Sequence, residues 1–566
     1  MFELDRLLLY LTTFGLAAAL PAATANARRL VRLTSAALVV VCLAGLLSRL
    51  YPELVGSPLA DREAERLSWP LGYWNGLGLA AAMALVLALH LASDLRERVA
   101  ARILAAASMP AVAATMFLTL SRGAFGAAAV GLVLLVVLGR ARGLPAALAA
   151  AVPGVALAFV ALAGADALTT GYAAGSADTV AAGRALGWQL VLVCAGTALL
   201  RLAALPLDRR LEGMRFAPWP RRRVAALTAG LAVVALTAAT ALDLPGRLEQ
   251  AWDAFRGSAP VAARGGERLL AGSADGRIEF WGVAWEIFRS EPLHGTGAGT
   301  YVHEWARLRP IALTVQDAHS LYLELLGELG LIGLALLAGA LLVPLACADR
   351  RRRDDRALWG AVIAVCATWL LRAGIDYDWE SPALALPVLA LLGTACARDR
   401  ARTPLWAPGS ARAWSARAAA ALALFGLALA PAGALSSQRA FDRALRAYER
   451  GDCEAAGEHA QAAQAAMGSR PEPAVLLGYC AIRAGAPERA ETLLADAVRR
   501  DPDGWEGHYG LALARAAAGR DPRPELSAAA RRNPLDGRVR DAARRMRSPR
   551  AEVWRREAPR SPVVIP

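Results

Sequence analysis

The sequence contains no lysine. All 63 residues of the Lys and Arg types are arginine. This absence, together with the heavy use of Ala and Arg, indicates a compositional bias of the source. The formal net charge of +14 is therefore poor evidence for a nucleic-acid partner, and we expect none. In a chain with long apolar segments, arginine more often marks cytoplasmic loops.

Cysteine is scarce and scattered. None of the spacings between the seven cysteines is that of a metal site, and several cysteines lie inside apolar runs. We therefore expect neither a metal nor a cofactor. Cys453 and Cys480 are expected to be small buried residues, and a disulfide between them is the alternative. No cleavable signal peptide is evident, so we expect the first apolar stretch to begin the membrane domain.

Apolar residues are abundant. They make up 56% of the chain, which is uncommon in soluble domains. A membrane-spanning helix needs about 20 apolar residues, and about twelve segments of this kind predict an all-α, polytopic integral membrane domain over residues 1–435. The candidate spans begin near residues 7, 30, 71, 100, 121, 143, 185, 223, 319, 357, 381 and 413.

Arginines cluster in every second loop between these spans. The clusters lie within residues 28–32, 96–102, 140–142, 209–223, 350–353 and 398–402. These loops are expected to be cytoplasmic, and the others, including the largest at 242–317, are expected to face outward. This assignment leaves only "MFELDR" outside before the first span. We therefore expect either that this span is miscounted or that further helices precede it.

The largest outer loop contains an amphipathic segment and a glycine-rich turn. Residues 278–288 have helical spacing, with Phe280, Trp281, Ala284 and Phe288 on one side, which predicts a helix on the membrane surface. In "PLHGTGAGTY", residues 292–301, the alternate glycines permit tight turns and close backbone approach. No predicted strand precedes them, so we do not interpret them as a dinucleotide site.

The stretch "AHSLYLELLGELGLIGLALL", residues 318–337, carries ionisable residues where the loop enters a span. Glu324 and Glu328 would lie roughly 7 and 13 Å deeper along a helix than His319, at about 1.5 Å per residue. Ionisable residues in spans usually face a polar cavity or a partner, so we predict that these three line an outward cavity. The alternative is an interfacial His319 with two solvated glutamates.

Two arginines are predicted on the outer side. Arg122 in "TLSRGAF" lies at the outer mouth of the fifth span, and Arg277 lies in the outer loop. Arg122 either extends its head group to the interface or binds an anion, because guanidinium suits phosphate. Two arginines beside His319 would suit a lipid diphosphate leaving group.

These segments together resemble a known family. "SRGAF", "GRIEFWGVAWEIFRSEPLHGTGAGTY" and "HSLYLELLGELGLIG", with "WPLGYWNGLG" (69–78) and "DYDWESPA" (376–383), resemble the lipid-linked O-antigen ligase and polymerase family in its actinobacterial branch, over roughly residues 65–395. Ser320 stands where family members commonly have Asn, and the stretch between "SRG" and the outer loop is longer than usual.

The resemblance implies a GT-C-like membrane enzyme that transfers a glycan from an undecaprenyl diphosphate carrier to an acceptor at the outer face of the cytoplasmic membrane, without a metal. It implies Arg122, Arg277 and His319 as the essential residues. We predict that Glu324, Tyr322, Asn75, Asp376 and Asp378 bind substrate, the two aspartates as an acidic outer rim for glycan hydroxyls.

Other functions remain open. Within the family, the alternatives are a polysaccharide polymerase and a protein O-oligosaccharyltransferase. A transporter or flippase would predict paired broken helices in two repeated halves, and no such symmetry is evident. A non-catalytic scaffold would give the outward arginines and histidine no common function.

The C-terminal region is soluble in character after about residue 436. Gly451, Gly485 and Gly519 are spaced by 34 residues, which resembles the period of tetratricopeptide repeats. We predict about three helix pairs in 436–546, on the outer side of the membrane, as a platform for an acceptor or protein partner. The alternative is an irregular helical bundle. Residues 547–566, rich in Arg and Pro, are expected to be disordered.

Overall fold

All regular structure in the described residues is helical. The computed structural model describes residues 2–20, 23–55, 66–169, 172–173, 175–213, 276–397 and 411–565, and these ranges contain no strand. The predicted span near residue 223, the outer loop as far as residue 275 and the arginines of 398–402 lie outside the described residues.

The membrane part consists of long apolar helices with several shorter helices between them. Their bounds are α1 Phe2–Ala19, α2 Ala23–Leu50, α3 Trp74–Ser93, α4 Val99–Leu118, α5 Arg122–Leu134, α6 Leu144–Ala163, α7 Asp166–Thr169, α8 Ala177–Ala203, α9 Leu205–Gly213, α10 Arg277–Ser290, α11 Tyr301–Leu308, α12 Leu321–Arg351, α13 Arg356–Ala373 and α14 Pro382–Cys396. Eight helical segments in the described residues are long and apolar enough to cross a membrane, which supports a polytopic membrane protein. The total of twelve spans stays a prediction.

Helix α3 lies at the centre of the membrane part. Every residue from Asn75 to Ser93 is buried, and most of them are Ala, Gly or Leu. Small residues let neighbouring helices approach closely: a Cβ at Gly78 would lie 2.9 Å from the Cβ of Ala124 in α5. The helix therefore acts as a packing centre for the helices around it.

The described arginine-rich loops meet at one end of the helices. Arg28 at the start of α2 donates to Asp94 and Glu97 between α3 and α4, both at 2.8 Å, and to Asp355 before α13 at 2.5 Å. At the opposite end, Tyr73, which precedes α3, and Asp376, which follows α13, are bonded to each other. These connections therefore lie at alternate ends of the helices, with the arginine-rich ones together at one end, as the arginine pattern predicts.

Helix α12 is interrupted near its start. Gly330 has φ 63° and ψ −160°, and the amides of Leu331 and Ile332, released from the helix, donate to the carbonyls of Pro292 (2.9 Å) and Leu293 (3.2 Å). A Cβ at Gly330 would lie 2.4 Å from the carbonyl carbon of Leu293. The amides exposed at the break thus hold the glycine-rich turn against the helix.

Helix α10 forms as predicted over the amphipathic segment, but its apolar side packs on protein. Phe280, Val283, Ala284 and Ile287 are buried, and a Cβ at Gly327 of α12 would lie 3.1 Å from the carbonyl oxygen of Ala284. Trp285 remains 50% exposed on the other side. The pattern therefore located the helix correctly, whereas most of its apolar contact is with α12.

The C-terminal region consists of one long helix followed by seven short ones. They are α15 Ala411–Glu449, α16 Cys453–Ala466, α17 Glu472–Arg483, α18 Pro487–Arg500, α19 Trp505–Ala517, α20 Arg523–Arg532, α21 Gly537–Arg545 and α22 Ala551–Glu557. Gly451, Gly485 and Gly519 have φ values of 83°, 70° and 76°. At intervals of 34 residues, an α-helix is therefore followed by a glycine in the left-handed backbone conformation. The tetratricopeptide assignment itself stays a prediction.

Two features of this region differ from the sequence expectation. Cys453 and Cys480 form a disulfide, which was the alternative to two separate buried thiols. Residues 547–566 are not disordered where they are described, because they contain α22, and Trp554 and Val564 are buried. Trp554 contributes a large apolar surface to the core of the C-terminal helices, and its Nε1 donates to the carbonyl of Met546 at 3.2 Å. These contacts stabilise a folded tail although the residues around Trp554 are mostly polar.

Candidate functional site

The candidate site is built around the buried carboxylate of Asp376, which follows α13. Its Oδ1 accepts from the Tyr73 hydroxyl (2.6 Å) and from the amide of Tyr377 (3.0 Å). Its Oδ2 accepts from Asn75 (2.7 Å), Arg372 (2.9 Å) and Arg277 (3.1 Å). Asp376 is 0% exposed, so its oxygens join α3, α10 and α13 and do not form an exposed rim.

Arg372 and Asp378 complete a buried charge cluster beneath this carboxylate. Arg372 Nη2 lies 2.7 Å from Asp378 Oδ2, and its Nε donates to the same oxygen at 3.0 Å. Asp378 is 1% exposed, and burial raises its pKa to about 6 although Arg372 opposes the shift. Sequence analysis missed Arg372; the spacing "RAGIDYD", which puts two carboxylates within six residues of an arginine at a helix end, is the signal that was available.

Arg277 is held by two contacts at the start of α10. Its Nε donates to the carbonyl of Ile375 at 3.0 Å, and its Nη2 donates to Asp376 at 3.1 Å. Its side chain is 17% exposed, so the guanidinium is fixed at the edge of the buried cluster. The neighbouring positive charges of Arg372, Arg277 and His319 lower the pKa of Asp376 although burial alone would raise it.

His319 forms a pair with Asp317. Its Nδ1 lies 2.8 Å from Asp317 Oδ1, which also accepts from the His319 amide at 2.9 Å. The residue has φ 50°, a left-handed conformation that is uncommon for residues other than glycine and that persists where the surroundings enforce it. Sequence analysis missed Asp317, although it lies only two residues before His319.

The charge state of His319 is set by opposing effects. Burial by itself would lower its pKa, but the hydrogen bond and charge of Asp317, together with the charge of Asp376, raise the pKa above the ordinary value of 6.5. With Nδ1 paired with Asp317, Nε2 is the ring nitrogen that would accept a proton from a substrate. A carboxylate on one nitrogen and a substrate on the other is the usual arrangement of a histidine base.

Aromatic rings join His319 to the cluster. The imidazole packs edge-on against Tyr377, with 4.9 Å between ring centroids, and lies 5.1 Å from the ring of Phe280 in α10. Tyr377 in turn stacks on Tyr73 at 4.5 Å. His319 and Arg277 therefore both contact the segment 375–377, although they are 42 residues apart in the numbering of the chain.

Arg122 begins α5 at the same end of the molecule. The preceding Ser121 donates to the Oδ1 of Asn75 at 2.7 Å. A Cβ on the following Gly123 would lie 2.1 Å from Arg372 Nη1. The backbone at Arg122 thus lies against the cluster, and its side chain is half-buried. The structure therefore brings the backbone at all three residues predicted to be essential to one end.

The remaining predicted binding residues are engaged within the protein. The Asn75 amide bridges Tyr73 and Asp376, and the Tyr322 hydroxyl donates to the carbonyl of Leu370 at 2.8 Å. Glu324 is buried and accepts from the Ala318 amide at 3.0 Å, next to His319. These bonds indicate positioning roles, and substrate binding by these residues stays a prediction.

Glu328 organises the glycine-rich turn. Its two carboxylate oxygens accept from the amides of Gly299 and Tyr301, both at 2.9 Å, and so hold the start of α11. A Cβ at Gly295 would lie 2.2 Å from the carbonyl carbon of Glu328. The close backbone approach expected from the glycines is present at this residue.

Helix α11 also contacts the repeat region. Arg309, which follows it and is 7% exposed, donates to Asn533 at 2.8 Å. His303 lies 3.6 Å from Asp501. Trp305 of the same helix packs against Phe280 at 5.1 Å. Residues 276–317 and the C-terminal helices therefore share one end of the molecule.

The site combines a histidine paired with Asp317, arginines bonded to Asp376, and the stacked rings of Tyr73 and Tyr377. Such an arrangement is able to accept a proton at His319 and to bind an anion at its arginines. Among the residues that the structure describes, no group of three or more His, Cys, Asp or Glu side chains is arranged to hold a metal ion.

Part of the chain is similar to a known protein family. Residues 192–338 match the sequence model of a family described as O-antigen ligase. The match covers roughly a quarter of the chain and includes Arg277 and His319 but neither Arg122 nor Asp376. No curated protein matches the chain.

Proposed function

We propose that this protein is a membrane glycosyltransferase that transfers a glycan from an undecaprenyl diphosphate carrier to an acceptor at the outer face of the cytoplasmic membrane. The family match of residues 192–338 and the spanning helices support a membrane glycan ligase-type function. The carrier, the face and the acceptor are the proposed parts.

One observation carries the proposal. The Asp317–His319 pair and Arg277, all within the matched segment, contact the same short segment, residues 375–377. A proton acceptor beside a fixed guanidinium is what transfer from a diphosphate needs, because one group must take the proton of the acceptor hydroxyl while the other stabilises the departing anion.

Each of these residues has a role in the proposed glycosyl transfer. The acceptor hydroxyl oxygen bonds to the anomeric carbon as the bond from that carbon to the diphosphate oxygen breaks. The electron pair of the broken bond leaves with the diphosphate, which Arg277 and Arg122 bind. His319 Nε2 takes the hydroxyl proton, and Asp317 stabilises the imidazolium that forms.

The test is transfer of glycan from purified undecaprenyl diphosphate donor by the protein in nanodiscs. Transfer to a separate acceptor supports a ligase or a protein O-oligosaccharyltransferase, and lengthening of the lipid-linked chain supports a polymerase. Movement of intact donor across the bilayer without bond breakage, or no change to the donor, would contradict glycosyl transfer and favour a flippase or a scaffold. In a deletion strain, the lipid-linked glycan that accumulates identifies the donor.

The pH dependence of transfer tests His319. A base must be neutral to act, so the rate should rise as pH increases through the raised pKa of His319, and the midpoint of this acid limb should lie above 6.5. Asp317→Asn should move the midpoint to lower pH, because the charge that raises the pKa is removed while burial and Arg277 still lower it. The measurement is the pH profile of kcat/KM.

Asp317→Asn retains an oxygen that can accept from the His319 amide, so the loop is expected to keep its conformation. Asp349→Asn is the matched control, since Asp349 is exposed at the opposite end of α12. A midpoint that stays in place or moves to higher pH in Asp317→Asn would exclude His319 as the titrating base.

Topology is tested by cysteine labelling in intact cells. Asp503→Cys in the repeat region should react with a membrane-impermeant maleimide, and Arg353→Cys in an arginine-rich loop should react only after lysis; both residues are exposed. The Cys453–Cys480 disulfide favours this orientation, because disulfides persist in oxidising compartments. The reverse labelling pattern, measured against the unsubstituted protein, would invert the assignment.

A further inference from the structure

A cavity of about 600 Å³ opens at the arginine-rich end, away from the site described above. It lies between the ends of α3, α5 and α9 and the start of α13. Four arginines line it: Arg96, Arg140, Arg142 and Arg356. All four are exposed, so the cavity is open to its surroundings at this end.

The backbone beside the cavity is irregular. Helix α5 ends in a π-helical turn, Leu135–Gly139, and Arg140 follows with φ 48° and ψ 43°. A left-handed residue other than glycine is strained, and such strain, like π-helical turns, concentrates at functional sites. Arg356 Nε donates to the carbonyl of Leu138 at 3.0 Å, which fixes this guanidinium against the turn.

Among the described residues, the carboxylates of the cavity pair with only one of these four arginines, Arg96. Asp94 and Asp355 are bonded to Arg28 at 2.8 and 2.5 Å, and Asp355 also binds Arg96 at 2.6 Å. The third acidic residue, Glu212, is exposed and accepts from Arg142 at 3.2 Å through its backbone carbonyl. In the part of the chain that the structure describes, no carboxylate is bonded to Arg140, Arg142 or Arg356.

Exposed apolar residues lie close in sequence to the residues that line the cavity. Val136 and Val137 of the π-helical turn are 41% and 54% exposed, and Leu207 of α9 is 40% exposed. In a membrane protein such apolar surface contacts acyl chains. A phospholipid bound here would place its anionic headgroup in the cavity and its acyl chain on the apolar surface. A free anion would occupy only the cavity.

We propose that this cavity binds the phosphate headgroup of an anionic phospholipid, with Arg140 and Arg142 as its principal contacts. Basic pockets between spanning helices suit such headgroups. The inference concerns a second site and does not depend on the proposed glycosyl transfer, since the cavity and the candidate active site lie at opposite ends of the helices.

The test uses the full chain in detergent, titrated with phosphatidylglycerol or phosphatidylcholine of equal acyl length and followed by native mass spectrometry. Phosphatidylglycerol should bind more tightly. In Arg140→Gly/Arg142→Gln its affinity should fall by about tenfold or more, because each arginine contributes to headgroup attraction. Glycine suits the left-handed backbone of Arg140, so this variant should be at least as thermally stable as the wild type.

Arg350→Gln/Arg353→Gln is the matched control, because it removes two exposed arginines of the same end that do not line the cavity. Its lipid affinity should be unchanged. Equal binding of the two lipids, or equal losses in both double variants, would overturn the proposal. Displacement of phosphatidylglycerol by an equal concentration of inorganic phosphate would show that the cavity recognises a free anion and would overturn the lipid assignment.

Discussion

His319→Ala is expected to bind the lipid-linked donor normally and to transfer its glycan about 10²–10⁴-fold more slowly, which is the usual contribution of a positioned proton acceptor. The ring is held by Asp317 at 2.8 Å and by edge contact with Tyr377, while the donor diphosphate is assigned to the arginines. The loss should therefore appear in kcat, with donor affinity retained.

Arg277→Lys distinguishes the two roles. An ammonium is unable to donate both to Ile375 and to Asp376 in the geometry of the guanidinium, for which these contacts are 3.0 and 3.1 Å. Transfer should fall although the charge is kept, and the loss should include donor affinity. Donor binding is measured in nanodiscs with labelled lipid, and transfer is measured on the same preparation.

The matched control for the histidine is His294→Ala. This side chain lies in the same loop and is 73% exposed, so its removal should leave transfer unchanged. Full activity in His319→Ala would remove the proposed mechanism and leave the membrane fold untouched. Equal losses in both histidine variants would point to a general effect on the loop.

Arg372→Met is expected to destabilise the membrane domain by about 3–5 kcal/mol, because removal of one partner of a buried ion pair leaves the other charge uncompensated. Arg372 is 2% exposed and binds both Asp376 and Asp378, which are almost fully buried. The measurement is the free energy of unfolding in detergent, followed by tryptophan fluorescence.

Arg352→Met provides the comparison. Arg352 pairs with Asp349 at an exposed position, so its loss should cost less than about 1 kcal/mol. Arg372→Met/Asp378→Asn should recover part of the stability, since one uncompensated carboxylate becomes neutral. A small effect of Arg372→Met, or no recovery in the double variant, would show that the buried pairing does not stabilise the fold.

Several parts of the site were accessible from local patterns. The apolar side of residues 278–288 predicted α10, and alternate glycines predicted the close backbone approach observed at Gly295. His319 was indicated because ionisable residues at the entry to a membrane span are costly, and Arg277 because guanidinium suits phosphate. The family resemblance implied that both are essential. Each of these inferences uses neighbouring residues only, and so requires no knowledge of distant contacts.

Other parts were inaccessible because they depend on desolvation by distant segments. Asp376 and Asp378 have the composition of an exposed acidic rim, yet α3 and α10 enclose Asp376 and supply donors from Tyr73, Asn75 and Arg277. Whether a carboxylate faces water or a buried arginine is decided by these neighbours, which lie far away in the chain.

The sequence by itself determined eight of the predicted spans, the alternation of the described arginine-rich loops and the 34-residue recurrence of Gly451, Gly485 and Gly519. Hydrophobic period, charge and the preference of glycine for a left-handed backbone conformation each act over one or a few helical turns. Only the tertiary structure decided that Arg372 binds two carboxylates, that α12 breaks at Gly330, that the last residues fold onto the repeat core, and that Asn533 reaches Arg309 beside the site. Burial and hydrogen-bond satisfaction in these places arise from segments that meet only when the whole chain has folded.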